Sequence, residues 1–290
     1  MNSQAVMPKN PTQADFLFDK VEQRLGATLQ HGPNNDRVYL MSLGSSDPQQ
    51  VLYEAHHLVD QHGYGKVFAK VRDTQSELFL SQGYRIEARI PNFYRDADAL
   101  FLAFYADNDR AQATEGAHLD QVLTAATSGL SLVNKVEPDL DICRMAPSDV
   151  DAMAQLYAQV FPSYPFPITH PQFLLETMAD NVAYFGGVRE GKLVALASAE
   201  QCFETKTVEM TDFATAPSAR GQGWAQRLLA HMEQDMEAAG HHMAYTIARA
   251  GSTGMNRTFA QRQYSMAGRL INNTQIGGQI ESMNVWYKPL

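Results

Sequence analysis

The residues whose types and spacing could do chemistry lie in the run Arg220-Gly221-Gln222-Gly223-Trp224-Ala225. A strand-like apolar segment, 208–215, precedes this run, and apolar residues at helical spacing follow it in 228–236. The pattern therefore predicts a strand, a glycine turn and the start of a helix. The first amides of a helix lack intrahelical partners and carry the positive end of its dipole. Because glycine has no Cβ, a phosphate can lie directly against such a turn, and the run indicates an anion site.

The spacing of the glycines excludes two common nucleotide-binding motifs. A triphosphate loop has a longer spacer between its glycines and then Lys followed by Ser or Thr, which this run lacks. A dinucleotide fingerprint has a third glycine after Gly223, and Gln226 stands at that position. The remaining alternative is a glycine-rich turn that binds no ligand.

The chain has 290 residues, which is enough for two domains that each bury a core. Acidic residues outnumber basic ones by 32 to 23, giving a formal net charge of −9, and no basic cluster occurs. Nucleic acids and anionic membranes are themselves negatively charged, so we expect neither as a partner. A small molecule is the expected partner, and a homodimer is left open.

Targeting and metal-binding signals are not found in the sequence. Residues 1–14 are polar and contain two prolines, without the apolar core of a signal peptide, and no later apolar stretch is long enough to span a bilayer. We therefore expect a cytoplasmic protein. Cys143 and Cys202 are isolated from each other and from histidine at ligand spacing, so we expect both to be buried small apolar residues and expect no structural metal.

The N-terminal half is predicted to alternate helices and strands. Residues 16–29 carry apolar side chains at helical spacing and predict a first helix, which the turn at 32–35 ends. Apolar periodicity and terminal glycines predict the other elements, which are strands at 37–43, 66–71, 84–91 and 99–105 and helices at 48–61 and 75–82.

The C-terminal half repeats this order. Five identical or similar pairs lie 180 positions apart, namely Phe79 and Phe259, Tyr84 and Tyr264, Arg89 and Arg269, Ile90 and Leu270, and Asn92 and Asn272. Where the C-terminal copy has its glycine run, however, the N-terminal copy reads Gly44-Ser45-Ser46-Asp47-Pro48, with an acidic residue in the place of an anion. We expect no cofactor there and interpret this half as a packing or dimerisation module.

Small and polar residues at 106–136, with one weak helical pattern at 118–126, predict a linker between two domains. The predicted domains are 1–135, which includes most of this linker, and 140–290. The second domain should contain a strand at 141–145, helices from 148 to about 160 and from 171 to 180, a hairpin of strands at 181–189 and 192–200, and the strand 208–215 before the glycine run. A proline-rich loop at 162–167 separates its first two helices.

The order of elements in 140–290 and the spacing R-x-x-G-x-A at 220–225 resemble the GNAT superfamily of N-acetyltransferases. Several segments resemble the β-lysine N-acetyltransferases within it, namely VEMTDFAT at 208–215, AYTIAR at 244–249, GMN at 254–256, IESMNVWYK at 280–288, YPFP at 164–167 and the segment 34–41. The resemblance implies an α/β fold whose mixed, mostly antiparallel sheet is flanked by helices in the C-terminal half. The N-terminal half would be a partial, degenerate copy of that fold.

The same resemblance implies transfer of the acetyl group of acetyl-CoA to the ε-amine of β-lysine, which yields the osmolyte Nε-acetyl-β-lysine. The cofactor-binding residues that it implies are Phe213, Ala214, Thr215, Arg220, Gly221, Gln222, Gly223, Trp224, Ala225 and Asn256. The acceptor would be bordered by Tyr164, Phe166, Tyr245 and Arg249. Arg249 could bind the acceptor carboxylate, or it could be structural.

An alkyl ammonium with a pKa near 10.4 must lose a proton before it attacks a thioester, so a base is required. Glu209 and Asp212 lie on the strand predicted to run beside the thioester, and strand alternation places them on opposite faces. Glu209 occupies a position that is often acidic in GNAT enzymes, so we favour it as the base, acting through water. Asp212 would bind the substrate ammonium or serve as a structural cap. The alternative is that both are ordinary strand-end carboxylates.

GNAT enzymes often use a tyrosine in the last helix to protonate the departing thiolate, but the repeat places Phe259 there. Tyr264 aligns with Tyr84 of the other half, which favours a core role for it. The proton donor is therefore Tyr245, Tyr264 or water. Two other functions stay open at this point, a GNAT enzyme that acetylates another amine or a protein lysine, and a non-catalytic module that binds CoA.

Overall fold

The computed structural model describes residues 19–113, 115–130 and 141–290. Within these ranges the strands are β1 (Lys20–Arg24), β2 (Ala27–Gly32), β3 (Arg37–Ser42), β4 (Lys66–Arg72), β5 (Arg85–Ile90), β6 (Ala99–Tyr105), β7 (Ile142–Arg144), β8 (Val182–Arg189), β9 (Lys192–Cys202), β10 (Thr207–Thr215), β11 (Met243–Arg249), β12 (Ser265–Ile276) and β13 (Gln279–Pro289). The helices are α1 (Pro48–His62), α2 (Ser76–Ser81), α3 (Gly116–Thr127), α4 (Val150–Val160), α5 (Pro171–Asp180), α6 (Trp224–Ala238) and α7 (Thr253–Gln261). The polar segment 1–14 and parts of the predicted linker lie outside the described residues.

All the described strands form one sheet in the order β1-β2-β3-β4-β6-β5-β12-β13-β11-β10-β9-β8-β7. The order from β3 to β5 is mirrored by the order from β10 to β12, with β5 and β12 meeting at the pair Ala88 and Gly268. Each half contains one parallel pair, β3 with β4 and β10 with β11. The mixed α/β sheet and the duplicated order agree with the sequence prediction.

The repeat extends to side-chain packing. Phe79 and Tyr84 meet edge to face with ring centroids 5.3 Å apart, and Phe259 and Tyr264 do the same at 5.1 Å. Tyr264 is 5% exposed and belongs to the core, as predicted. The two halves therefore share a packing motif as well as an order of elements.

The predicted helix at 16–29 is wrong over its described part, which forms the hairpin of β1 and β2. Leu25 and Gly26 both have positive φ, 55° and 85°, which is the geometry of a tight two-residue hairpin turn. The apolar spacing at 16–29 also fits a strand, and pairing of β2 with β3 decides between the two. The hairpin brings Gln30 and His31 into the interior, where each is 1% exposed.

The prediction that Cys143 and Cys202 are buried is also wrong, because both are exposed. Cys143 lies on β7, an edge strand, and Cys202 is the last residue of β9. Edge positions and strand ends leave one face of the backbone uncovered, so isolation in sequence was a poor guide to burial.

Side chains of the N-terminal half bind the backbone of an irregular segment of β12, residues 271–275. Pairing of β12 with β13 shifts register between Leu270 and Thr274, which leaves backbone groups of this segment without strand partners. Three basic side chains donate to the carbonyls of this segment: Arg37 to Asn273, Lys66 Nζ to Ile271 (2.7 Å) and Arg110 Nε to Asn272 (3.1 Å). The Ile271 amide donates to the Glu87 carboxylate at 2.9 Å. The two halves are therefore joined by hydrogen bonds as well as by the sheet.

A core made entirely of strand and turn residues lies between the halves. It combines Tyr39, Phe68 and Phe101 from the N-terminal half with Tyr245 and Val285 from the C-terminal half. The helix α3, which the weak pattern at 118–126 predicts, packs on α7, where Arg257 donates to the Ser128 carbonyl at 3.2 Å. Among the described helices, none is both long and apolar enough to cross a membrane.

Candidate active site

The site begins where β10 and β11 part. Their parallel pairing covers 207–209 with 243–245, whereas β10 continues to Thr215 and β11 to Arg249. On its other side β10 carries a bulge between Thr211 and Ala214, and Asp212 within the bulge has a φ of 55°. The parting opens a gap in the sheet directly beyond Glu209 and Tyr245.

A cavity of about 390 Å³ extends from this gap to the N-terminal half. This volume is within the range of small-molecule sites. Its lining from the C-terminal half includes Glu200, Glu209, Asp212, Tyr164 and Tyr245, and its lining from the N-terminal half includes Gln30, Arg37, Tyr39, Phe68 and Lys70. The N-terminal half, which the sequence predicts to be a packing or dimerisation module, thus also forms a wall of the cavity.

Glu209 lies in the cavity wall and pairs with Glu200 directly across the β9–β10 ladder. Burial, together with the charge of Glu200, raises the pKa of Glu209 to about 7. The positive charge of Lys70 and a hydrogen bond with Tyr245 act in the opposite direction and favour the carboxylate. Desolvation on its cavity side also raises the pKa of Glu200, although the residue as a whole is exposed. A carboxylate whose pKa is near 7 can accept and release a proton at neutral pH, which suits a general base.

Lys70 brings a positive charge from β4 to the acidic end of the cavity. Its Nζ donates to the Tyr245 hydroxyl at 3.2 Å and lies 5.3 Å from the centroid of that ring. Tyr245 is 6% exposed and stands beside Glu209 in the parallel pairing. Lys70 of the N-terminal half is thus linked through the Tyr245 hydroxyl to the acidic end of the cavity.

Asp212 is held by hydroxyl donors and lies near, but apart from, the Glu200–Glu209 pair. Ser198 Oγ donates to its carboxylate at 2.6 Å, and the Tyr164 hydroxyl donates to the other oxygen. Burial raises the pKa of Asp212, although these hydrogen bonds favour its ionised form. The proline-rich loop therefore closes on β10 through Tyr164, and Phe166 of the same loop lines the cavity.

The glycine run forms an open turn at the start of α6. Gly221 and Gly223 have φ values of 74° and 77°, and no atom lies within 4 Å of the space that a Cβ would occupy on either residue. Gly223 is the N-cap of α6 and offers no side-chain hydrogen bond to its first amides, whereas Asp47 caps α1 by accepting from the Gln49 amide at 3.0 Å. The C-terminal turn therefore fits a phosphate, and the corresponding N-terminal turn is already capped by a carboxylate.

The other predicted cofactor residues fall into two groups. Arg220 and Gln222 are exposed beside the turn, where Arg220 Nε lies 3.4 Å from the Thr215 carbonyl and Gln222 accepts from Arg189 at 2.6 Å. The Trp224 side chain is 3% exposed and packs against Gly187, so only its backbone can face a ligand. The neighbouring Ala225 is partly buried in the first turn of α6.

On β10, Phe213 packs edge to face on Phe259 at 5.7 Å, while Ala214 and Thr215 pair with β9. Since β11 has parted from β10 at this level, the side of the strand opposite β9 is left for a ligand. At this level β10 and β11 are splayed apart.

Asn256 and Arg249 are engaged within the protein. Asn256 is fully buried, donates to the Ser252 and Arg249 carbonyls, and accepts from Asn284 and Trp286 at 2.9 Å each. It therefore shapes the turn before α7. Arg249 lies at the cavity edge with a bidentate ion pair to Glu281, whose Oε2 is 2.8 Å from its Nε. Its guanidinium already has a carboxylate partner.

No motif in the sequence indicated Glu200, Lys70 or Arg37, yet all three line the cavity. Glu200 could have been found from the hairpin register, since it lies opposite Glu209. Lys70 interrupts the mostly apolar strand β4 and carried a weak signal. Arg37 is placed by contacts with residues more than two hundred positions away, which periodicity does not reveal.

Comparisons with known proteins identify the family to which this chain is similar. Residues 150–264 match the model of the acetyltransferase (GNAT) family. The chain is 35% identical to the β-lysine N(6)-acetyltransferase of Methanococcus maripaludis over 272 residues, which cover 93% of this chain and 99% of that protein. It is 41% identical to the enzyme of the same name from Methanosarcina mazei over 143 residues, 49% of this chain and 53% of that protein. The N-acetyltransferase YodP of Bacillus subtilis is 29% identical over 77% of this chain and 81% of its own length.

The raised pKa of Glu209 predicts a pH-dependent stability. Between about pH 4.5 and 7 the folded chain binds more protons at this group than the unfolded chain does, so stability falls as the pH rises through this window. We expect this group to lower the free energy of unfolding by up to about 3 kcal/mol across this pH window. Because Glu209→Gln lacks the titrating carboxyl group, its free energy of unfolding should fall correspondingly less.

Urea titrations at about pH 5 and pH 8 measure this difference, with Glu176→Gln, an exposed change on α5, as the control. Equal losses of stability in Glu209→Gln and in the wild type would contradict the raised pKa.

Proposed function

The chain belongs to the GNAT family of acetyltransferases and is an acetyl-CoA-dependent N-acetyltransferase, and we propose that its acceptor is the ε-amine of β-lysine. The product would be the osmolyte Nε-acetyl-β-lysine. Two relatives bear the name of this activity, and the chain covers nearly the whole length of one of them. The acidic end of the cavity, where Glu209 stands at the parting of β10 and β11, is the observation that carries the proposal.

Glu209 is the base in this proposal. An ammonium group entering the cavity is attracted by the Glu200–Glu209 pair and must lose a proton before it becomes a nucleophile. A carboxylate whose pKa lies near 7 accepts that proton, directly or through a water molecule, more readily than an ordinary carboxylate does. Asp212, held by Tyr164 and Ser198, binds and orients the ammonium.

Bound acetyl-CoA supplies the acetyl thioester that the amine attacks. The amides at the start of α6, with Gly221 and Gly223, would hold its pyrophosphate, and backbone groups of 213–215 would bind its pantetheine arm. Of the two candidate tyrosine proton donors, Tyr245 lines the cavity whereas Tyr264 lies in the core. Tyr245 or water therefore protonates the leaving thiolate. Because a free thiol has a pKa near 8.5, the thiolate can also leave without prior protonation.

An acetyl-CoA assay over several amines tests the acceptor. We expect turnover with β-lysine to exceed turnover with putrescine, with spermidine and with a lysine-containing peptide. The cavity has the volume of a small-molecule site, and its lining includes both carboxylates and basic side chains, which suits an acceptor with amines and a carboxylate. Proton NMR of the product should place the acetyl group on the ε-nitrogen. Faster acetylation of the peptide or of a polyamine would contradict β-lysine as the acceptor and leave the acetyltransferase assignment intact.

The cofactor turn predicts a separate result. Gly223→Asp places a carboxylate at the first amides of α6, so CoA affinity should fall at least about a hundredfold. Gly223→Ala introduces a side chain at the same positive φ but no charge, so its CoA affinity should fall much less. Ser45→Asp, in the corresponding exposed turn of the other half, should leave CoA affinity unchanged. Isothermal titration with CoA measures all three. Equal losses in Gly223→Asp and Ser45→Asp would show that the cofactor is not confined to the C-terminal half.

A further inference from the structure

The cavity has a second polar end, in the N-terminal half. Its acidic end contains Glu200 and Glu209 with Lys70. The other end is formed by Arg37 on β3, Gln30 on β2 and the irregular segment of β12. The family resemblance of 140–290 assigns nothing to this second end.

Arg37 is a buried guanidinium, 5% exposed, that forms no ion pair with a carboxylate in the part of the chain that the structure describes. Its Nη1 donates to the Asn273 carbonyl and to Thr274 Oγ1 at 3.1 Å, and its Nη2 reaches Gln30 Oε1 at 3.5 Å. Its Nε has no hydrogen-bond partner. Burial lowers the pKa of Arg37 to about 10, so the group stays charged at neutral pH. Buried charges are normally paired, and an unpaired one is costly.

Two neighbouring side chains also have a buried polar atom without a hydrogen-bond partner. Gln30 Nε2 and Asn273 Oδ1 also have no partner, and each residue is 1% exposed. Buried polar atoms without partners are uncommon, and here three of them occur in residues that line one end of one cavity. They comprise two donors and one acceptor. A ligand carboxylate could accept from the two donors, and a neighbouring ligand ammonium could donate to the acceptor, once the side chains turn toward the ligand.

Tyr39 lies between the two ends. Its ring centroid is 5.3 Å from Cζ of Arg37, and burial and then the charges of Glu209 and Glu200 raise the pKa of its hydroxyl. Tyr39 is therefore next to Arg37 and within electrostatic reach of both carboxylates. An aliphatic acceptor with a carboxylate at one end and an amine at the other would run past Tyr39.

We infer that Arg37 and Gln30 bind the carboxylate of the acceptor, that Asn273 accepts a hydrogen bond from its second amino group, and that the amine to be acetylated reaches Glu209. This inference rests on the proposed function and deepens it. The N-terminal half is then the part of the chain that selects acceptors bearing a carboxylate. Arg249, which the sequence suggested for this task, has its guanidinium paired with Glu281 instead.

The test compares β-lysine with two partial analogues, putrescine, which lacks the carboxylate, and 6-aminohexanoate, which lacks the second amino group. The measured quantity is the ratio of kcat/KM for β-lysine to that for putrescine. Loss of a donor to a carboxylate should lower this ratio about ten- to a hundredfold in Gln30→Met and in Arg37→Met. Asn273→Leu should reduce the advantage of β-lysine over 6-aminohexanoate.

Gln23→Met is the matched control, because Gln23 is exposed on β1 of the same hairpin and donates to Thr28 away from the cavity. Arg249→Ala tests the rival carboxylate site. Because Arg37 also donates to the β12 backbone, circular dichroism must show that each variant is folded. If Arg37→Met does not fold, the test relies on Gln30→Met.

An unchanged ratio in folded Gln30→Met, or a fall confined to Arg249→Ala, would overturn the inference. A wild-type enzyme that acetylates β-lysine and putrescine equally well would also overturn it while leaving acetyl transfer intact. If the wild type acetylates amines but not β-lysine, the proposed acceptor fails. Calorimetric titration of 6-aminohexanoate into the wild type and Gln30→Met then decides the role of this end, since weaker binding by the variant supports it and equal binding overturns it.

Discussion

The structure depends on one constraint, that buried backbone groups must find hydrogen-bond partners. The register shift in β12 leaves the backbone groups of 271–273 without ladder partners on β13. Side chains of the N-terminal half, chiefly Lys66, Glu87 and Arg110, supply the partners. Strand β4, which carries Lys66, also brings Lys70 into the cavity, and its neighbour β3 brings Arg37 and Tyr39. Satisfying the β12 backbone therefore places a second wall over the site.

The electrostatics of the cavity follow from that enclosure. Two carboxylates directly opposite each other on antiparallel strands repel, and burial makes their ionisation harder still. The N-terminal half lines the other side of the cavity and adds Lys70 as a partial counter-charge to Glu209. In the proposed mechanism the N-terminal half thus contributes to catalysis by placing Lys70 beside the base on the other half.

Local patterns predicted much of this arrangement. The glycine turn, the strand carrying Glu209 and Asp212, the loop with Tyr164 and the repeat of Phe79 and Tyr84 all follow from short-range spacing. The prediction that strand alternation places Glu209 and Asp212 on opposite faces is wrong, because the bulge at Asp212 breaks the alternation and both carboxylates line one cavity. Local spacing misled at 16–29, where a helical pattern became a hairpin because pairing with β3 outweighed it. The exposed cysteines likewise reflect their positions at an edge and at a strand end. The pairs Arg249 with Glu281 and Arg37 with the Asn273 carbonyl depend on register between distant strands, which a single sequence does not contain.

The central claim is that Glu209 is the base and that Glu200, opposite it, raises its pKa. The pH dependence of kcat/KM for β-lysine in the wild type and in Glu200→Gln tests this claim most directly. We expect wild-type activity to rise with pH through an apparent pKa near 7, and we expect this limb to move to lower pH in Glu200→Gln because one negative neighbour is gone. A limb that stays in place in Glu200→Gln, or that persists unchanged in Glu209→Gln, would contradict the claim.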